Sequence, residues 1–206
     1  TASVIAVGGA NYLWSHGGTT NSINVSPASN ATYTVTVTSG NGCTASDNVI
    51  VVVNSLPLAN AGIDQTICFG QTATLTASGG TTYQWNTGSS SSVINVTPSV
   101  TSTYTVTVTS GNGCQATDDV TIFVNALPVA NAGPDQTICP GQTAILSTAS
   151  TGSYQWSNGM TTQSISVSPA ITTTYTLTIS SGGCSSSDDV VVNVAASLIV
   201  NAGVDQ

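Results

Sequence analysis

The sequence predicts an all-β chain in which small antiparallel β-sandwiches follow one another end to end. Three observations lead there. A period of about seventy residues runs through the chain, apolar residues inside each period alternate with polar ones, and no stretch shows the three-to-four spacing of an amphipathic helix.

The period is read most directly from the aromatic residues and cysteines. Trp14, Trp85 and Trp156 stand 71 and 71 apart, and Tyr33, Tyr104 and Tyr175 keep the same interval. Cys43, Cys114 and Cys184 are spaced 71 and 70, and Cys68 lies 71 before Cys139. The run Asn-Ala-Gly-x-Asp-Gln occurs at 60–65, 131–136 and 201–206. A repeat of that length is too long for one coil of a solenoid and suits a small β-domain.

The central copy shows the elements in order. Residues 58–67 form a first strand interrupted at Gly62. In 72–77, Ala73, Leu75 and Ala77 fall on one face, and Gly79-Gly80 then turns the chain into 82–85, where Tyr83 and Trp85 share a face. Residues 92–96 put Ile94 and Val96 together before Pro98 ends the strand. Residues 103–109 alternate strictly, with Tyr104, Val106 and Val108 inward and Thr105, Thr107 and Thr109 outward. Ser-Gly-Asn-Gly-Cys at 110–114 carries a hairpin signal, and 118–124 returns with Val120, Ile122 and Val124 on one side. About seven short strands, each apolar on one face only, require two sheets packed face to face.

A Trp on the third strand and a Tyr opening the penultimate strand occupy the places of the core Trp and the tyrosine corner of immunoglobulin-like (Ig-like) sandwiches. Trp14, Trp85, Trp156, Tyr33, Tyr104 and Tyr175 are therefore expected in the cores. The expected division is a module lacking its first strand at 1–55, complete modules at 56–126 and 127–196, and the first strand of a following module at 197–206. The run Asn-Ala-Gly-Pro-Asp-Gln-Thr-Ile-Cys at 131–139, with Tyr154-Gln155-Trp156, Thr-Tyr-Thr-Leu-Thr at 174–178 and Asp188-Asp189-Val190, resembles tandem PKD-type and related Ig-like modules. The resemblance spans essentially the whole chain. It implies the long secreted surface proteins of gliding and biofilm-forming bacteria, where such arrays serve as stalks, adhesins and spacers. This chain departs from that pattern in lacking every Lys and Arg.

Composition excludes several function classes. The chain has no Lys, Arg or Glu, eight Asp and a formal net charge of −8, where average usage would supply roughly 25 Lys plus Arg. Without fixed cations it cannot grip a nucleic-acid backbone or an anionic inner-membrane surface. It also offers no trypsin-type cleavage site, which fits a protease-containing exterior. With 40% hydrophobic residues in alternating runs, disorder is disfavoured.

The cysteines are expected to staple single modules. Cys68 and Cys114 lie 46 apart and Cys139 and Cys184 lie 45 apart, each pair joining a first strand to a last hairpin. The expected bonds are Cys68–Cys114 and Cys139–Cys184, each contributing about 4 kcal/mol by loop entropy, and they imply an oxidising, extracellular or cell-surface location. The partner of Cys43 falls outside the chain, before Thr1. Aligned on the tryptophans, Thr1 corresponds to Thr72, and six residues copying 66–71 would carry Gln206 back to that phase. Val200, Asn201, Ala202, Gly203 and Asp205 are therefore the expected joint, either to a further covalent repeat or to another copy whose first module lacks that strand.

Candidate chemistry is sparse. His16 corresponds to Thr87 and Asn158 in the other copies, which marks a loop tip rather than a general base. Asp118-Asp119, Asp188-Asp189 and Asp47-Asn48 open the last strands; a Ca²⁺ site at Asp118 and Asp119, shared with Asp64 or Asp135, is the weaker reading beside a solvated strand start. No other cofactor or metal is expected. Asn24, Asn30 and Asn95 sit in N-x-[ST] tripeptides, and the Thr ladders offer sites for glycan modification. No nucleophile elbow, phosphate loop or zinc cluster occurs, so no enzyme is expected. The functional expectation is an extracellular fibre or stalk of tandem modules held end to end, each module adding strands of roughly 26 Å. The alternative is an adhesive module binding glycan or a surface ligand through loops such as Tyr12-Leu13-Trp14-Ser15-His16.

Overall fold

The computed structural model describes residues 1–196, and every element among them is a strand. Modules two and three share one strand set, and module one repeats it without the first strand among the described residues. Module one contains β1 (Ala2–Ile5), β2 (Asn11–Trp14), β3 (Ser22–Val25), β4 (Ala31–Thr38) and β5 (Thr44–Val51). Module two contains β6 (Gln65–Cys68), β7 (Ala73–Thr76), β8 (Thr82–Trp85), β9 (Val93–Val96), β10 (Ser102–Thr109) and β11 (Gln115–Asn125). Module three contains β12 (Gln136–Ile138), β13 (Ala144–Ser147), β14 (Ser153–Trp156), β15 (Ser164–Val167), β16 (Thr173–Ser181) and β17 (Cys184–Val194).

Each module pairs a two-stranded sheet (β1-β3, β7-β9, β13-β15) with a larger one. In modules two and three the larger sheet has the order β6-β11-β10-β8 and β12-β17-β16-β14. In module one it is β2-β4-β5, with no first strand against β5 among the described residues. The expected all-β fold of tandem Ig-like antiparallel β-sandwiches is what the chain adopts. By Cα packing the chain falls into two compact units. One holds Thr1–Leu58 with Gly79–Thr82 and Val108–Ala116, so the hairpin tip of module two packs with module one; the other holds Ala59–Ser78, Tyr83–Thr107 and the described residues from Thr117 on.

The alternation read from sequence sets what is buried. Val106, Val108, Val120 and Ile122 are fully enclosed, as are Leu177, Ile179, Val190 and Val192 in module three. Trp14, Trp85 and Trp156 are buried, and their indole N–H groups donate to the carbonyls of Thr20, Ser91 and Thr162 at 2.9, 3.0 and 3.0 Å. That one repeated bond satisfies the only polar atom a core Trp brings with it. Tyr33, Tyr104 and Tyr175 are half-buried, and Tyr33 and Tyr175 pack against the edge of their cores.

The first strand is where the topology departs from a simple meander. Asn60 makes an antiparallel bridge to Ser78, beyond β7 in one sheet. The chain then crosses at Gly62 (φ 95°) and runs as β6 parallel to β11 in the other sheet, with Cys68 opposite Asn125. Module three repeats the crossing, at Gly133 (φ 87°), and the parallel pairing, of β12 with β17. A positive φ is what lets one short segment serve both sheets, and a residue with a Cβ would be strained there.

Candidate functional site: the first-strand groove and the cystine between modules

Every residue of Asn-Ala-Gly-x-Asp-Gln has a task in the two modules that contain it. In module two the Asn60 side-chain oxygen accepts the Gly62 N–H at 2.7 Å, closing the turn before the crossing. Ala61 is fully buried, and its N–H donates to the Asp118 carboxylate at 2.8 Å. Asp64 accepts the Thr121 N–H at 2.8 Å, and the Gln65 amide donates to the Thr74 carbonyl at 3.1 Å. Module three repeats each bond: Gly133 to Asn131, Ala132 to Asp188, Val191 to Asp135, and Gln136 to Ile145. The variable position is Ile63 or Pro134, both exposed, which is why it tolerates change.

These bonds give the aspartates structural work. Asp118 and Asp119 are neighbours on a strand and so point to opposite faces: Asp118 is half-buried under Ala61, whereas Asp119 is exposed. Among the described residues no three or more His, Cys, Asp or Glu side chains gather as a metal site. His16 is exposed, with its ring edge on Tyr33 at 5.9 Å between centroids.

Module one carries the receiving half of the same lock. An open groove of about 670 Å³ runs along β5, lined by Val4, Ala6, Trp14, Val35, Val37 and Asp47 among others. By the repeat spacing Asp47 corresponds to Asp118 and Asp188, and here it accepts the N–H of its neighbour Asn48 at 2.8 Å. Val49, equivalent to Val120 and Val190, is 37% exposed where those two are at 0%. All of β5 except Val51, at its end, is exposed. The residues expected to form the joint, Val200, Asn201, Ala202, Gly203 and Asp205, lie outside the described residues.

The cystine overturns the expected stapling. Cys68 is bonded to Cys184, 116 residues away, with Cα atoms 5.6 Å apart; neither Cys68–Cys114 nor Cys139–Cys184 forms, and Cys43, Cys114 and Cys139 are free thiols. The reason is strand direction. Because β6 runs parallel to β11, Cys68 lies opposite Asn125 at the last residue of β11, whereas Cys114 precedes its first. Eleven residues of strand separate them by roughly 35 Å, and a disulfide tolerates no more than about 7 Å between Cα atoms. The same length of β17 separates Cys139 from Cys184.

What Cys68 meets instead is the β16–β17 hairpin of module three. The Asn125 side-chain amide donates to the Gly182 carbonyl at 2.9 Å, seating the hairpin on the ends of β6 and β11, and Cys184 is buried there. Module two also presents its hairpin to module one, through a different contact. The Cys114 sulfur lies 4.0 Å from the carbonyl oxygen of Asn54, the residue equivalent to Asn125. Gly113 (φ 80°) closes that hairpin, its N–H donating to Ser110 at 2.9 Å. The sequence displayed the spacings behind both features; what it did not display was the parallel pairing that turns Cys68 toward the next module.

No protein-family model and no curated protein matches the chain. Solved structures that resemble it are arrays of Ig domains. Titin domains I67–I69 in an E-to-A variant share 13% identity over 90% of this chain and 88% of that one, with a TM-score of 0.45. Extracellular domains 3–5 of Drosophila OTK share 12% over 90% and 85%, with a TM-score of 0.38. The insect immune protein hemolin shares 13% over 80% of this chain and 56% of its own, also at 0.38.

Proposed function

We propose that the chain is a length of an extracellular structural fibre or stalk, built of tandem cystine-linked Ig-like modules joined through the Asn-Ala-Gly-x-Asp-Gln strand, as in the surface arrays of bacteria that its motifs resemble. The observation that supports this is the groove of module one. It offers Asp47 and the N–H of Ile50, the counterparts of Asp118 and Thr121, to a strand that modules two and three supply for themselves. The occupant is a strand carrying the same motif, supplied by a flanking repeat or by another copy, and residues 201–206 repeat that motif letter for letter apart from its variable position. Adding a strand to an open sheet edge satisfies backbone groups along its length while side chains set the register.

The protein acts by reach and cohesion rather than by catalysis. Asp64, Asp118, Asp135 and Asp188 hold backbone N–H groups, and the one histidine sits exposed on a tyrosine ring. The adhesive alternative has less support, because Trp14, the aromatic residue it would present to a sugar, is buried with its N–H bonded.

The test is assembly under reducing conditions, followed by sedimentation and electron microscopy. The chain is expected to form end-to-end polymers that denature to units of 20.5 kDa. Ala202→Trp, at the position where Ala61 and Ala132 are enclosed, is expected to abolish them, and Val204→Thr at the variable position to leave them intact. A chain that stays monomeric, or an Ala202→Trp variant that polymerises normally, overturns the reading.

A further inference from the structure

We propose that Cys68–Cys184 is one rung of a repeating ladder of cystines, in which the first-strand cysteine of each module bonds the hairpin cysteine of the module after it, so that Cys139 bonds Cys43 of the next copy in the fibre. This rests on the end-to-end reading above and extends it from strand addition to covalent cross-linking.

Three features of the molecule lead to it. Cys139 repeats Cys68: it follows β12 at the end of a parallel pair, beside Ala195, whose N–H donates to the Ile138 carbonyl at 2.9 Å. Cys139 is exposed, as Cys68 would be without the hairpin of module three. Cys43 and Cys114 repeat Cys184, each following a Ser-Gly-Asn-Gly turn with the same closing bonds, Gly42 N–H to Ser39 at 3.0 Å and Gly113 N–H to Ser110 at 2.9 Å. The third feature is independent of the formed bond. The Cys114 thiol already stands against Asn54, the place beside which a first-strand cysteine of module one would lie. Placement of the hairpin thiol at the end of the preceding module is thus seen in two pairs of modules.

The alternatives within a module are closed by distance. Cys139 and Cys184 lie at opposite ends of β17, about 35 Å apart, far beyond disulfide reach. One local difference modulates the new rung. Ala195 replaces Asn125, so the amide bond that seats the hairpin at Gly182 has no counterpart there, and the strand joint must do the positioning. Forming the rung removes two protons and two electrons from the Cys139 and Cys43 thiols. A low-molecular-weight disulfide accepts them and leaves as two thiols, through a mixed disulfide on one of the cysteines.

The test uses the whole chain, first assembled under reducing conditions and then oxidised with glutathione disulfide. The expected result is a ladder of covalent multimers on a non-reducing denaturing gel, returned to monomer by a thiol reductant. Peptic digestion, needed because the chain lacks Lys and Arg, is expected to yield a peptide joining Cys139 to the 39–43 hairpin. Cys139→Ser and Cys43→Ser each collapse the ladder to monomer, an equal mixture of the two variants stops at a dimer, and Cys114→Ser leaves the ladder unchanged. Polymers that form under reducing conditions yet keep Cys139 alkylatable after oxidation overturn the ladder alone. A Cys139 found bonded to Cys114 or Cys184 also overturns it. A chain that does not assemble at all overturns both the ladder and the fibre reading.

Discussion

Pulling the oxidised chain by its two ends should leave most of modules two and three out of the load path. Tension entering at Thr1 passes through module one to Cys68, crosses the cystine to Cys184, and leaves along β17. The bond spans 116 residues of sequence with Cα atoms 5.6 Å apart. At about 3.6 Å per extended residue, roughly 400 Å of contour is withheld from extension. Reduction, or Cys68→Ser, should release it. The measurement is force–extension on single chains held by handles at both ends, with and without a reductant. The oxidised protein is expected to show only the lengthening of module one and the flanking segments, and the reduced protein an additional gain near 400 Å. Equal total extension in the two states would refute the pairing. A gain near 160 Å per module, the size of a 46-residue loop at the same rise, would point instead to bonds within modules. On the chain-entropy account the longer loop also favours the folded state by about 5 kcal/mol.

Two pairs of outcomes follow from the first-strand lock. Asp118→Ala leaves the buried Ala61 N–H without an acceptor, and is expected to lower stability by about 1–3 kcal/mol in urea denaturation; Asp47→Ala, whose carboxylate meets only its neighbour's N–H, should leave the isolated chain's stability unchanged and weaken polymer formation. Gly62→Ala forces a Cβ onto a residue at φ 95° and should cost about 1–2 kcal/mol by thermal denaturation, while Ile63→Thr at the exposed neighbouring position should be neutral.

Much of the fold was legible because a strand with one buried face writes its orientation into alternate residues. Val106, Val108, Val120 and Ile122 are enclosed where the alternation placed them, and Trp85 is buried on the strand expected for it, spanning the residues expected. The repeat also exposed the lock in outline, since Asp47, Asp118 and Asp188 recur at the module period. Their roles were not legible. A carboxylate that accepts a backbone N–H from 57 residues away looks, in a list of residues, like any charge at a strand start.

Residue type and spacing alone specify the class of fold, the recurrence of its strands at the module period, the core tryptophans and the lack of basic side chains. Which cysteines meet depends on how the strands pair in the folded chain. Spacing says that Cys68 and Cys114 belong to one repeat; it does not say that β6 runs parallel to β11. That direction carries Cys68 to the far end of its own module, out of reach of Cys114 and against the hairpin of the next.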